Sequence, residues 1–286
     1  MNVTNVMGLP AALVSAVSID RHNKPGEISA TTLNKGIPEI LLTERHFDEL
    51  TVDAADSIWA VWGTAVHTLF EKQKDNCFHE EAFEVPVLGH TVTGRVDSYD
   101  LEHEEIVDWK TASVWKVIMA DFDDWHKQGM TYAWLLMKNG LKVKKCRFVA
   151  ILKDHSKSKA KIDNTYPQSP VFVYEFAVTP EELEDTGKRI TEKIAKLELA
   201  SELPDDKLPV CSPEERWATE SKYALMKNGR KTAVKLYGSK SEAEAAKEQS
   251  GAGFYVEDRP GEDKKCSDYC LCNSFCSYYK SHHEQE

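Results

Sequence analysis

The segment from Gly94 to Tyr132 decides how the rest of the chain is read. It contains Gly94-Arg95-Val96-Asp97, then Val107-Asp108-Trp109-Lys110, then Gln128-Gly129-Met130-Thr131-Tyr132. Residues 91–100 and 105–111 alternate apolar and polar side chains in the manner of two-faced strands. Glu102-His103-Glu104 between them predicts a hairpin. Turning there, the hairpin sets Asp97 and Asp108 roughly opposite each other. Side chains that face each other across strands sit about 5 Å apart, close enough to share a divalent cation. Lys110 follows Asp108 by two residues and so projects from the same strand face. Residues 123–138 carry helical periodicity and stop at Asn139-Gly140. That predicts a helix with Gln128 and Tyr132 one turn apart.

Working outward, residues 53–74 predict a second helix, with Ile58, Val61, Trp62, Ala65, Val66, Leu69 and Phe70 at helical spacing. His67 and Glu71 lie four apart on one of its faces. Ser29-Ala30-Thr31-Thr32-Leu33 offers a short helix with a hydroxyl cap. Strands are expected over 81–87, 145–153 and 171–178, with a polar loop over 154–170. Thr179-Pro180-Glu181-Glu182 opens a helix running to about Leu199, with Thr as cap and Pro at the first position. A composition shift at Leu203-Pro204-Asp205-Asp206 divides the chain into 1–203 and 204–286. The later part predicts a hairpin over 222–237 turning at Asn228-Gly229, a helix from Ser239 to Gln249, a strand over 253–257, and then a run of cysteines.

The 286 residues suffice for one large domain with an appendage. A hydrophobic content of 41% and a charged content of 29% are ordinary for a soluble globular chain. No apolar run reaches the roughly 18 residues of a membrane span. The opening Met1-Asn2-Val3-Thr4-Asn5-Val6-Met7 has no basic region of a secretory signal, so a reducing cytoplasm is the expected location. A formal net charge of -11 argues against a protein that grips nucleic acid with its whole surface, and leaves room for local basic patches. Lys138, Lys142, Lys144, Lys145, Arg147, Lys153, Lys157, Lys159 and Lys161 form one such run. Lys222, Lys227, Arg230, Lys231 and Lys235 decorate the late hairpin. Each run suits phosphate contact or, more plainly, a solvated face. Trp217, Tyr223 and Tyr237 suit base stacking or core packing.

Hydrolysing a phosphodiester requires a stabilised, charged transition state and a nucleophile made from water, and bound Mg²⁺ or Mn²⁺ supplies both. Such hard ions take oxygen ligands. Asp97 and Asp108 would give carboxylates, the Trp109 carbonyl a third oxygen, and His67 a nitrogen that favours Mn²⁺. Lys110 would orient the attacking water and offset phosphate charge. Taken singly, these fragments have plainer readings: Asp-x-Lys is a surface ion pair, Gly-x-x-Asp a turn, His67 a core histidine, and Gln128 with Tyr132 a helix face. Here order, spacing and element type agree.

The series Gly63-x-x-x-His67-x-x-x-Glu71, Gly94-x-x-Asp97, Asp108-x-Lys110 and Gln128-x-x-x-Tyr132 resembles the RecB-like branch of the PD-(D/E)XK nucleases, whose mark is the last motif. The resemblance spans about residues 29–178 and, with the cysteines, reaches the C-terminus. It implies an α/β restriction-endonuclease-like core, a mixed sheet flanked by helices, over 1–203. A small C-terminal α+β appendage in 204–286 would close back on it through the cysteine cluster. It implies that His67, Asp97, Asp108 and the Trp109 carbonyl hold Mg²⁺ or Mn²⁺, that Lys110 is catalytic, and that Gln128 and Tyr132 position the lysine or the DNA strand. Asp108 stands where Glu is commoner, and Val96 where the family name has Pro. The implied activity is a phage-type DNA exonuclease of recombination, repair or replication, leaving 5′-phosphate and 3′-hydroxyl ends. Its partners would be single-stranded DNA or duplex ends, and a recombination or replication protein. The alternative is a catalytically silent DNA-binding protein on the same fold.

Of seven cysteines, Cys266, Cys270, Cys272 and Cys276 are crowded together. In a reducing compartment this suggests a metal or cluster rather than disulfides, and four local thiolates suit Zn²⁺. Some RecB-like nucleases instead carry a 4Fe-4S cluster on three clustered cysteines and a remote one. That resemblance implies Cys211, Cys266, Cys270 and Cys276 as ligands, with Cys272 the rival to Cys211, and zinc or free thiols as the other readings. Cys77 and Cys146 are expected as buried apolar thiols.

Overall fold

The computed structural model describes residues 1–17, 24, 26–72 and 75–283. It divides into two compact units, Met1–Pro204 and Asp205–Glu286. The first unit runs β1 (Asn2–Thr4), α1 (Ala11–Val17), β2 (Glu27–Ser29), α2 (Ile37–Arg45), β3 (Thr51–Asp53), α3 (Ile58–Glu71), β4 (Cys77–Val87), β5 (His90–Asp100), β6 (Glu105–Ala112), α4 (Val114–Ile118), α5 (Asp123–Lys138), β7 (Lys145–Leu152), α6 (Lys157–Ala160), β8 (Val171–Ala177) and α7 (Pro180–Ser201). Six of these strands form one mixed sheet in the order β2-β5-β6-β7-β8, with β4 also on β5. The β6–β7 pair is parallel, and α4 and α5 supply the crossover such a pair needs. α5 is buried without a break from Gln128 to Leu136. α7 packs outside it, with Ile190 and Ile194 fully buried.

Glycine allows the close approach of α5 to the sheet. A Cβ on Gly94 would stand 2.5 Å from Leu135 Cδ1 and 3.1 Å from the Tyr132 ring. One on Gly129 would stand 2.9 Å from the rings of both Phe148 and Phe176. α3 covers the other face. Phe70 packs against Trp109 with the rings tilted by 30° and 4.3 Å between centroids, and Gly63 faces Thr111. Trp109 and Thr111 alternate with Asp108 and Lys110 along β6, so the two helices lie on opposite sides of the strand.

The edge pairing of β5 sets up the site. β4 runs along one edge of β5. On the other edge β2 pairs as far as Thr93 and β6 pairs from Ser98 onward. Residues 94–97, which hold the Gly-x-x-Asp motif, therefore fall between two partners. The β4 ladder also lapses at this level, pairing His79 with Ser98 and Glu81 with Val96, because Glu80 between them has φ +51°.

Several expectations are corrected. The helix expected over 53–74 begins at Ile58, because Asp53 belongs to β3, where its carboxylate accepts hydrogen bonds from the Val6 and Ala55 N–H groups. Residues 73 and 74 lie outside the described residues. None of the α3 side chains is buried, although the helix is apolar. The Ser29 hydroxyl does cap the following turn, accepting from Thr32 N–H, but the turn is a 3-10 helix over Thr32–Asn34. The 154–170 loop contains α6.

The second unit runs α8 (Pro213–Arg216), β9 (Lys222–Lys227), β10 (Lys235–Tyr237), α9 (Lys240–Ser250), β11 (Phe254–Arg259), α10 (Lys264–Asp268) and α11 (Ser277–His283). Its antiparallel sheet has the order β10-β9-β11. The chain does turn at Gly229, with φ +83°. Leu225 nevertheless pairs with Lys235, so residues 228–234 form a longer connection than the two-residue hairpin predicts. No helix among the described residues is long and apolar enough to cross a membrane.

Candidate active site

β5, β6, α3 and α5 each bring side chains to the gap beside Asp97. His67, on α3, places Nδ1 3.3 Å from Asp97 Oδ1 and 3.6 Å from Glu80 Oε1. The ligand atoms of His67, Glu80 and Asp97 all lie within 4.8 Å of one another. Asp97 turns its second oxygen toward β6 and accepts the Trp109 backbone N–H at 2.8 Å. A side chain thus spans the place where the β5–β6 ladder has ended.

A second chain of contacts continues across β6 to α5. Lys110 Nζ lies 2.5 Å from Asp108 Oδ1 and donates to Gln128 Oε1 at 3.0 Å. Gln128 Nε2 donates to the Tyr132 hydroxyl at 2.9 Å and reaches Asp108 Oδ2 at 3.5 Å. Lys110 and Asp108 form a close charge pair around the buried Oδ1. Asp108 is 1% exposed. Burial pushes its carboxyl up to about 6, against the pull of the Lys110 ammonium. The Asp97 hydrogen bond pushes the His67 imidazole up to about 9. Burial raises Glu80, and the neighbouring Asp97 charge adds to it. Burial also raises the Tyr132 phenol.

The Asp97 charge raises both Glu80 and Asp108, and converging carboxylates beside an imidazole make a set a divalent cation would satisfy. Oxygen donors with one nitrogen fit Mg²⁺ or Mn²⁺. The structure places His67, Asp97, Asp108, Lys110, Gln128 and Tyr132 in one connected group, with Trp109 joining through its N–H. Asp108 is not in the tight trio with His67; Glu80 is. Sequence reasoning missed Glu80 because it lies just before the strand expected over 81–87, and no residue type there announces its positive φ.

The cysteines are less gathered. Cys270 and Cys272 have sulfurs 3.6 Å apart, and Cys272 is buried, while Cys211, Cys266, Cys270 and Cys276 are half-buried. Burial pushes the Cys266 thiol up to about 11, with smaller contributions from Asp263, Cys270 and Cys276. Among the described residues no trio of thiols meets the same 4.8 Å spacing. Cys146 is buried as expected, whereas Cys77 is half-buried. In the basic run, Lys144 pairs with Glu104, and Lys145 and Arg147 pair with Glu105 and Glu175. Lys153 Nζ lies 4.0 Å from the ring centroid of Trp59. In the second unit, Trp217 is 51% exposed, and the Lys235 ammonium lies over the Tyr237 ring.

A family model described as the PD-(D/E)XK nuclease superfamily matches residues 18–277. No match is found among curated proteins. Three solved structures are similar to this chain. SSO0001 is 17% identical with a TM-score of 0.46, over 67% of this chain and 84% of that one. The alkaline exonuclease LHK-Exo from Laribacter hongkongensis is 11% identical with a TM-score of 0.37, over 62% and 90%. A phage related exonuclease from Haemophilus somnus 129PT is 15% identical with a TM-score of 0.39, over 62% and 96%.

Proposed function

The chain belongs to the PD-(D/E)XK nuclease superfamily, and on that premise we propose that it is an Mg²⁺- or Mn²⁺-dependent deoxyribonuclease working as an exonuclease in DNA recombination, repair or replication. The observation that carries this reading is the unbroken series of contacts from His67 through Asp97 and Trp109 N–H to the Asp108–Lys110–Gln128–Tyr132 group. His67, Glu80, Asp97 and Asp108 would hold the cation, with the Trp109 carbonyl as a further oxygen. The cation would supply Lewis acidity to the phosphate and lower the pKa of a water. Lys110, fixed by Gln128 and Asp108, orients the attacking water and offsets phosphate charge. Gln128 and Tyr132 hold Lys110 at its post.

Digestion of end-labelled linear and circular DNA, single- and double-stranded, with each metal, tests this. Asp108→Asn and Lys110→Ala are each expected to lose about 10²–10⁴-fold in rate. Undiminished digestion by both variants would reject the site. Digestion of circles at the rate of linear DNA would reject the exonuclease.

The cysteines carry a separate proposal: Cys211, Cys266, Cys270 and Cys276 around a 4Fe-4S cluster, with Cys272 the rival to Cys211 and Zn²⁺ the alternative. Its support is the crowding of four cysteines near the chain end, while the close Cys270–Cys272 pair favours the rival Cys272. Loading would have to draw the other thiols in. Brown protein with iron and sulfide supports the cluster, and colourless protein with one zinc per chain supports zinc. Protein with neither metal sinks both.

A further inference from the structure

α3 is apolar, yet its largest side chains face solvent: Trp59 is 56% exposed and Trp62 51%. Their spacing of three residues puts them on one flank of the helix. Trp59 is not an isolated surface ring. One of its faces is backed by the Lys153 ammonium at 4.0 Å. Lys153 N–H in turn donates to the Ala112 carbonyl, two residues beyond Lys110 on β6. A third exposed indole, Trp115, stands on α4, which the Ser113 hydroxyl and the Val114 N–H tie to the carboxylate of Asp154, the neighbour of Lys153. The same α3 that carries the tryptophans delivers His67 to Asp97. At about 1.5 Å per residue, Trp59 and His67 are about 12 Å apart along the helix axis. That distance spans three to four nucleotides at about 3.4 Å per stacked base.

We propose that Trp59 and Trp62, with Lys153, form a stacking platform for unpaired bases that feeds single-stranded DNA to the site. The proposal rests on the nuclease reading above and names its substrate. An indole face accepts any base, so the platform is blind to sequence. The bases of a duplex are stacked on one another, and only an unpaired strand offers them to the rings. Lys153 argues for nucleic acid over a protein partner on this flank. Burying an ammonium in an apolar protein interface costs its hydration, whereas a phosphate backbone provides the opposite charge. Lys144, Lys145 and Arg147, in the same basic run, are ion-paired with acids. Lys153 is set against an aromatic ring.

Fluorescence anisotropy with a labelled oligo-dT and a blunt duplex of equal length, in EDTA, tests the platform without cleavage. Trp59→Ala with Trp62→Ala is expected to weaken oligo-dT binding at least about tenfold and to leave duplex binding within about twofold. Trp59→Phe with Trp62→Phe should hold most of the oligo-dT affinity. Should the alanine pair fail to fold, Trp59→Leu with Trp62→Leu keeps apolar bulk without a π face and makes the same discrimination against the Phe pair. Unchanged oligo-dT binding, or equal losses on both DNAs, overturns the proposal. So does a change in oligomeric state with DNA binding intact, which would assign the flank to a protein partner. Wild-type protein that binds oligo-dT through the tryptophans but never cuts would keep the platform and remove the nuclease reading. Cutting without Trp-dependent binding would do the reverse.

Discussion

Lys110 is held on two sides, by a buried carboxylate and by an amide. The amide makes a specific demand. Gln128 offers its carbonyl oxygen to Lys110 and its NH₂ to the Tyr132 hydroxyl, an assignment that a carboxylate or a second lysine would not reproduce. On the proposed reading Gln128 is a positioning residue rather than a reacting one. Gln128→Ala is expected to lower kcat about 10–100-fold, the usual scale for a group that orients a reacting side chain, with KM little changed. Steady-state kinetics on a defined oligonucleotide separates the two parameters. A rise in KM with kcat intact would mean that Gln128 binds the strand instead. Asp97 is the other residue whose two oxygens are divided, one toward His67 and one to the Trp109 N–H. That division links His67 to the strand carrying Asp108 and Lys110.

The mixed sheet flanked by helices is the restriction-endonuclease-like fold, and its elements differ in how plainly the sequence writes them. The hairpin around 102–104 and the α5 helix are legible because alternation and helical periodicity each persist for two turns or more. Gly94 reads from sequence as part of a motif, and the structure supplies its reason. Leu135 and Tyr132 occupy the space a side chain would need. Gly94→Ala is expected to destabilise the protein by about 1–3 kcal/mol through overpacking, measurable as a lower urea midpoint. Leu135→Val in the same chain should recover part of the loss. Additive losses would place the strain elsewhere. The three-residue strands β1, β2 and β3 are not legible, being too short to show a period.

The β1–β3 pair also gives a pH prediction. Asp53 accepts from Val6 N–H, Ala55 N–H and the Thr4 hydroxyl, and these bonds hold its carboxyl below the usual aspartate value. A lowered folded pKa means that the contribution to stability is complete above the unfolded value, about 3.9, and is lost as pH falls through the folded one. The amide resonances of Val6 and Ala55 should titrate together below that ordinary value, and Asp53→Asn should remove the transition. A midpoint at or above the ordinary value would contradict the assignment.

At the scale of the molecule, sequence pattern separates apolar from polar faces but not what covers an apolar face. α3 is the example. Its periodicity predicts a helix, as found, yet says nothing of whether the stripe meets the chain's own core or something outside it. Phe70 meets Trp109, while Trp59 and Trp62 each keep about half of their surface exposed. The net charge of -11 is similarly blunt. It averages over a surface on which Lys144, Lys145 and Arg147 are balanced locally by Glu104, Glu105 and Glu175, so the sum hides which cations face acids and which do not. The site itself is half legible. Its motif residues repeat a known order, while Glu80 enters through backbone geometry.

That geometry has a thermodynamic corollary. A glutamate with φ +51° works against its own conformational preference, at about 1–2 kcal/mol for an L-residue in the left-handed region. The protein therefore trades melting temperature for a carboxylate aimed at Asp97 and His67. Glu80→Gly should release that debt, raising Tm by a few degrees (about 1 kcal/mol) while weakening Mn²⁺ affinity measured by calorimetry. Glu80→Gln should keep the lower Tm and also bind the ion less well. If glycine lowers Tm, the backbone at 80 is held for the sheet's sake and not for the ion's.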